Sequence, residues 1–254
     1  PEQKTRELLA QMYSITLTGG AAKLAEKAIL KGFTKEDYIR TGNRSLIRPT
    51  NLLLSARGTA LADSFFNNDY AKSKPSSMDA IYDIADLKLQ FGVGGLHGYS
   101  KSGIYSNCYD YDVTSFYPAI ILNCKLGSLI FRHIYNQIFD QRVSFKETND
   151  QRADALKLIL NSIYGKLKSE YSDERIFAPH IALNICLNGQ LYILDLIEKV
   201  SHCNILLANT DGIITEKPIP QEILDEFMTR TKFKLGTKRI NKLILRDSNA
   251  YYAE

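Results

Sequence analysis

Tyr109-Asp110-Tyr111-Asp112-Val113-Thr114-Ser115-Phe116-Tyr117-Pro118 begins with the alternation of a half-buried strand. Tyr109, Tyr111 and Val113 fall on one face, with Asp110 and Asp112 on the other. The alternation stops in a Ser-Phe-Tyr-Pro corner, and the apolar run Ala119-Ile120-Ile121-Leu122 follows. Proline is tolerated in the first turn of a helix, where its missing N–H would have had no partner. The reading is a carboxylate near a strand end facing a helix start, whose N–H groups suit an anion. Such an arrangement suits a metal ion carrying a polyphosphate.

Further along, Ile205-Leu206-Leu207-Ala208 and Ile213-Ile214-Thr215 flank Asn209-Thr210-Asp211-Gly212, which predicts a hairpin. Asp211-Gly212 either supplies turn chemistry alone or brings a second carboxylate to Asp112. Between these stretches, a helix is predicted from a cap at Asp150 to about Lys168. Leu156, Leu160, Ile163 and Leu167 form its core stripe, while Lys157, Asn161, Tyr164 and Lys168 repeat the same spacing as a polar and aromatic face. Gly165 lies inside that helix at a cost of about 1 kcal/mol relative to Ala. A flat, bulky group approaching the backbone there would account for it.

The rest of the chain sets the frame. Its 254 residues are 44% apolar and 24% charged, ordinary for a soluble globular protein with a sizeable core. The net charge of +4 is unevenly placed: residues 227–246 carry Arg230, Lys232, Lys234, Lys238, Arg239, Lys242 and Arg246 without an acid. That stretch is a solvated face or a nucleic-acid surface. Four cysteines in no CxxC pairing read as reduced thiols of a cytoplasmic protein rather than a zinc site or disulfide frame. No run approaches the ~18 apolar residues of a membrane span, and the polar start does not resemble a signal peptide. A start without Met suggests a chain that begins partway through something longer.

Helices are expected over 5–13, 21–33, 51–66, 129–146 and 181–200, with a linker at 71–77. Leu87, Leu89 and Phe91 alternate into Gly92-Val93-Gly94-Gly95-Leu96-His97-Gly98. Four glycines in seven residues indicate a hairpin turn with a bulge or the close approach of another backbone. His97 alone reads either as a hydrogen-bonded structural histidine or as a ligand.

Three stretches in this order, Asp-x-x-Ser-Phe-Tyr-Pro, Lys-x-x-x-Asn-Ser-x-Tyr-Gly and Asn-Thr-Asp-Gly, resemble the family B DNA polymerases, specifically their phage-like members. Asp112 to Pro118 resembles the first palm motif, Lys157 to Gly165 the fingers motif, and Asn209 to Gly212 the second palm motif. Gly94-Gly95 with Leu96-His97-Gly98 is similar to the glycine motif that contacts template. Asp247 to Tyr251 resembles the last palm motif, with Asn249 where a Lys is common. The resemblance covers about residues 90–252.

It implies an α+β fold with an antiparallel-sheet palm, a two-helix fingers hairpin and an N-terminal helical segment. The corresponding domains are 1–77, the palm at 78–128 and 170–254, and the fingers at 129–169. It implies templated addition of dNTPs to a primer 3′-OH with two Mg²⁺ ions, or Mn²⁺ in their place, held ~3.5–4 Å apart. Asp112 and Asp211 would be the catalytic metal ligands, with the carbonyl of Val113 as a third oxygen. Ser115 and Phe116 would hold the triphosphate from below, Arg142 and Lys157 would clamp it, and Lys146 is a weaker candidate. Tyr117 would be the ring under the sugar that excludes a 2′-OH, and Asn161, Tyr164 and Gly165 would line the nascent base pair. Gly94, Gly95, His97, Gly165, Lys238, Arg239, Lys242 and Tyr251 would contact DNA. Primer-template DNA and dNTP are the implied partners, with other replication proteins or further polymerase domains beside them and no membrane.

Two departures bear on this. Asn209 stands where many relatives have Asp, so it gives no second charge. Only 45 positions separate Asp112 from Lys157, and 54 separate Lys157 from Asp211, which leaves little space for the insertions of protein-primed enzymes. No Asp-x-Glu occurs, so no proofreading exonuclease is expected, and little chain follows the last motif for a thumb. Residues 1–77 would be the end of an exonuclease-like region or its replacement. The rival readings are a non-catalytic DNA-binding module and a two-metal nuclease. Paired aspartates suit the latter, but it has no need of Lys-x-x-x-Asn-Ser-x-Tyr-Gly.

Overall fold

The computed structural model describes residues 2–41, 45–67 and 79–254. The linker expected at 71–77 lies outside the described residues. In chain order the elements are α1 (Glu2–Met12), α2 (Ala21–Leu30), α3 (Ala56–Phe66), β1 (Ala80–Ile84), β2 (Leu87–Phe91), β3 (His97–Tyr99) and β4 (Gly103–Val113). There follow α4 (Phe116–Asn123), α5 (Leu129–Glu147), α6 (Arg152–Lys168), α7 (Pro179–Val200), β5 (Ile205–Ala208), β6 (Gly212–Thr215), α8 (Gln221–Thr231), β7 (Leu235–Asp247) and β8 (Ala250–Ala253). The fold is α+β. The chain divides into two units, residues 1–46 with 120–184 and residues 47–119 with 185–254.

The first unit is helical. The stripe Leu156, Leu160, Ile163 and Leu167 is buried as its spacing requires, and α1, α2 and α5 pack on α6. Lys157, Asn161 and Lys168 are exposed and Tyr164 is half-buried on the opposite face. Ser128 caps α5 by accepting from the N–H of Phe131. The fully buried Tyr135 donates its hydroxyl to the carbonyl of Leu160 at 3.0 Å, tying α5 to α6. Glu26 on α2 is 1% exposed and paired with Lys166 on α6 at 2.7 Å. Asp150 is not the formal cap of α6; Gln151 holds that position, while Asp150 accepts from the N–H of Arg152 at 2.8 Å.

The second unit is built on one antiparallel sheet of eight strands in the order β1-β2-β3-β5-β6-β4-β7-β8. β4 pairs with β7 from Gly103↔Leu245 to Val113↔Leu235 and with β6 from Tyr109↔Thr215 to Asp112↔Gly212. At the carboxylate end, Phe233 stacks edge-on against Tyr192 at 4.7 Å and Phe116 at 5.3 Å. At the other end, Cys108, Leu206, Leu207, Ile214, Ile240, Leu243 and Leu245 form a second apolar cluster with Tyr105 against it.

α7 is long and apolar enough to cross a membrane by length and composition, contrary to the reading of the sequence, but 89% of its apolar window is buried inside the protein. Its polar residues serve the interior. Asn188 donates to the carbonyl of Ile47 at 2.9 Å, Tyr192 donates to Asn51 at 2.7 Å, and Asp195 and Glu198 accept from the N–H groups of Leu53 and Ser55 at 2.7 and 2.6 Å. The bonds to Asn51, Leu53 and Ser55 hold residues 51–55 outside the helix. The third helix therefore starts at Ala56 rather than Asn51, with Ser55 as its cap.

Arg230, counted from the sequence among the basic residues of 227–246, is also structural. Its guanidinium makes two 2.9 Å bonds to Asp195, which is fully buried, and pairs with Glu226. Removing one partner of a buried pair leaves the other charge uncompensated, at 3–5 kcal/mol. The backbone bond from Leu53 softens that loss here. Arg230→Ala should therefore lower stability by about 3 kcal/mol in chemical denaturation. Lys242→Ala, an exposed change on β7, should stay within about 0.5 kcal/mol of the parent.

Candidate active site

The strand β4 delivers Asp112 as its penultimate residue, and the β5–β6 turn delivers Asp211 immediately before Gly212. The register sets Asp112 opposite Gly212, and the N–H of Val113 donates to the carbonyl of Asp211 at 2.8 Å. The two aspartates, 99 positions apart in sequence, are thus brought together where the end of β4 meets the turn that enters β6. Gly212 is required there by close approach. A Cβ at this position would lie 2.5 Å from the carbonyl oxygen of Tyr111 and 3.1 Å from the Cα of Asp112. The N–H of Asn209 closes the turn on the carbonyl of Gly212 at 2.9 Å.

Electrostatics mark the pair. Burial, and then the negative charges of Asp211 and Asp110, push the Asp112 carboxyl up to about 6, with Lys238 pulling the other way. Burial also raises Asp211, opposed by a backbone hydrogen bond and by His97. Asp110 is raised by burial as well, and Lys238, directly across the β4–β7 ladder, counters this. Carboxylates crowded in this way favour a cation. Among the described residues no group of three or more His, Cys, Asp or Glu side chains is arranged to hold a metal. The donors available here are two carboxylates and the backbone. That suits Mg²⁺, which takes one or two carboxylates and completes its shell with water and phosphate oxygens.

Beyond Val113 the chain turns through Ser115 at φ +54°, a left-handed conformation that costs a non-glycine residue about 1–3 kcal/mol. The carbonyl of Ser115 accepts from the N–H of Ala119 at 3.0 Å to open α4. Phe116 anchors the corner in the core at 4% exposure. Tyr117 is half-buried, and its phenol is raised first by burial and then by the neighbouring Cys186 and Asp211. That proximity sets Tyr117 in the same neighbourhood as the carboxylate pair.

The glycine stretch 92–98 connects β2 to β3 as a hairpin and is also a site of close approach. Gly95 has φ +120°, and a Cβ there would meet the Oγ1 of Thr210 at 2.6 Å. His97 is half-buried, with Nδ1 buried and without a hydrogen-bond partner among the described residues. The β8 residue Tyr251 accepts from the amide of Asn209 at 3.3 Å. Gly94, Gly95, His97, Asp112, Tyr117, Asp211 and Tyr251 all belong to the sheet unit. Lys238, Arg239 and Lys242 are exposed on β7, with Arg239 donating to Asn107 at 3.2 Å.

Arg142, Lys157, Asn161, Tyr164 and Gly165 belong to the helical unit. Lys168 sits over the Tyr164 ring at 4.7 Å. Among the described residues a Cβ at Gly165 would meet nothing within 4 Å, so packing inside the helical unit does not explain this glycine. Reading the sequence missed the seat of Thr210 against Gly95 and the role of Lys238 as the charge facing Asp110. Both depend on strand register, which only the folded sheet supplies.

No protein-family model and no curated protein matches the chain. Solved structures do. The chain is similar to the family B DNA polymerase from the hyperthermophilic archaeon Pyrobaculum calidifontis, with a TM-score of 0.56 and 12% identity. The match covers 99% of this chain and 34% of that polymerase. At this identity the likeness is one of fold, and the chain spans about a third of that enzyme's length.

Proposed function

We propose that this chain is the palm and fingers of a family B, phage-like DNA polymerase, adding dNTPs to a primer 3′-OH under the direction of a template. The observation that carries this reading is the convergence of Asp112 and Asp211 across the β4–β6 ladder, in a fold similar to part of such an enzyme. Asp112 and Asp211, with the carbonyl of Val113, would hold two Mg²⁺ ions, or Mn²⁺. When bound, these ions lower the pKa of the attacking hydroxyl and neutralise the triphosphate. Ser115 and Phe116 present their backbone at the start of α4, where a helix N-terminus favours phosphate. The Tyr117 ring sets the floor under the sugar. Arg142, Lys157, Asn161, Tyr164 and Gly165 take their triphosphate and base-pair roles from the sequence resemblance alone.

Mg²⁺-dependent extension of a labelled primer on a primed template tests the reading. Elongation that requires both cation and template supports it. Binding of the same DNA without extension would make the chain a DNA-binding module, and shortening of the primer would make it a nuclease.

With Arg230 assigned to the interior, Lys232, Lys234, Lys238, Arg239, Lys242 and Arg246 remain as the exposed basic residues of 227–246. Binding to primed DNA should weaken steeply with salt, each neutralised phosphate adding about −0.9 to the slope of log K against log salt. Lys242→Gln should reduce that slope by about 1, and Arg230→Lys should leave it unchanged. Equilibrium binding across a salt series checks both expectations.

A further inference from the structure

Thr210 precedes Asp211 in the β5–β6 turn, and its side chain is seated on the glycine loop between β2 and β3. An added Cβ at Gly95 would lie 2.6 Å from the Oγ1, 2.8 Å from the Cγ2 and 3.1 Å from the Cβ of Thr210. The Thr210 hydroxyl also points at the carbonyl of Gly94 at 3.5 Å. Gly94 itself is exposed, with open space where a Cβ would stand. The loop therefore has an outer surface at Gly94 open to a ligand and an inner surface filled by the residue next to Asp211. A shift of the loop must move Thr210, and Thr210 is joined by one peptide bond to a carboxylate of the candidate metal pair.

From this contact we infer that Thr210 is a positioning residue that couples occupancy of the Gly94–Gly95 loop by nucleic acid to divalent-cation binding at Asp112 and Asp211. The inference rests on the polymerase reading above and adds a regulation of its site. A template strand lying on the loop fixes Gly95, Gly95 fixes Thr210, and the Asp211 carboxylate is held ready for the cation before the nucleotide arrives. By linkage the effect is reciprocal: the cation must tighten the binding of nucleic acid by the same factor.

The test is the Mn²⁺ half-saturation of the full chain, read by thermal shift, alone and with a primer-template whose primer ends in a dideoxynucleotide. Couplings between sites are commonly 5- to 150-fold. The parent is expected to bind Mn²⁺ at least about fivefold more tightly with DNA present. In Thr210→Ala that ratio should fall below about twofold, while Mn²⁺ affinity without DNA changes little. Thr210→Ser, which keeps the hydroxyl facing Gly94, should retain most of the ratio. An unchanged ratio in Thr210→Ala, or none in the parent, overturns the inference. Hydrogen exchange of residues 92–98 gives a readout without substitution at Thr210. Mn²⁺ added to the DNA-free parent should slow exchange in this loop, and Asp211→Asn should abolish the effect; no change in the parent again overturns the inference. Templated extension by the parent separates the two levels. If extension occurs and the coupling is absent, the coupling alone fails. If extension and Mn²⁺ binding are both absent, the polymerase reading fails and the coupling with it.

Discussion

Asp112→Ala and Asp211→Ala are each expected to lower single-nucleotide incorporation by at least about 10³-fold, the scale on which a preorganised charge at a reacting phosphate acts. Both side chains lie at one junction of β4 and β6, without a third His, Cys, Asp or Glu grouped with them among the described residues. A cation losing either carboxylate keeps one ligand of the pair, and the neighbouring Asp110 is faced by Lys238 across the β4–β7 ladder. Because the two act as a unit, the double variant should be scarcely worse than either single one. DNA affinity should be maintained or rise slightly, since each change removes a negative charge from the surface proposed to meet the phosphates. Stability should hold too, because partial desolvation raises both carboxyls, and acidic neighbours raise Asp112 further, so neither charge is favoured by the fold. Full activity in Asp211→Ala, measured by rapid-quench incorporation, would remove the pair from the mechanism.

The second large effect concerns the sugar. Tyr117→Val should raise the ratio of ribonucleotide to deoxyribonucleotide incorporation by at least about tenfold, the range over which a filled pocket discriminates by shape. Tyr117→Phe, which keeps the ring, should leave the ratio near that of the parent. The corner tolerates the change because its anchor is Phe116, buried against Phe233 at 5.3 Å, while Tyr117 is only half-buried. Equal slowing of both nucleotides in a folded Tyr117→Val would give Tyr117 a packing role alone. Competition between rNTP and dNTP at one template position reads the ratio directly.

Much of this was legible before folding. Alternation over Tyr109–Val113, the apolar runs flanking Asn209–Gly212, and the two stripes of α6 are local patterns of period two and 3.6, and the strand, hairpin and helix follow them. What the sequence hid depends on partners distant along the chain. Residues 51–55 carry apolar spacing suited to a helix, yet α7 binds them otherwise: Asp195 and Glu198 accept from the backbone N–H groups of Leu53 and Ser55, and Tyr192 donates to the side chain of Asn51. Arg230 has the composition of a DNA-binding stretch but the environment of a buried ion pair, because Asp195 is brought to it by a helix 35 positions earlier. The reason for Gly212 was only half visible. Turn chemistry suggested a glycine, and the approach of Tyr111 and Asp112 makes it necessary. Gly165 remains the opposite case, a glycine in a helix whose surroundings among the described residues of its own unit leave room for a side chain.

The most direct test of the central claim is a matrix of single additions: each of the four dNTPs offered to a primer on each of the four templating bases, with Mg²⁺. The account predicts extension by one nucleotide only with the complementary dNTP, and none with Mg²⁺ omitted or with Asp112→Ala in place of the parent. Addition without regard to the template base, or primer shortening in every cell of the matrix, would contradict it.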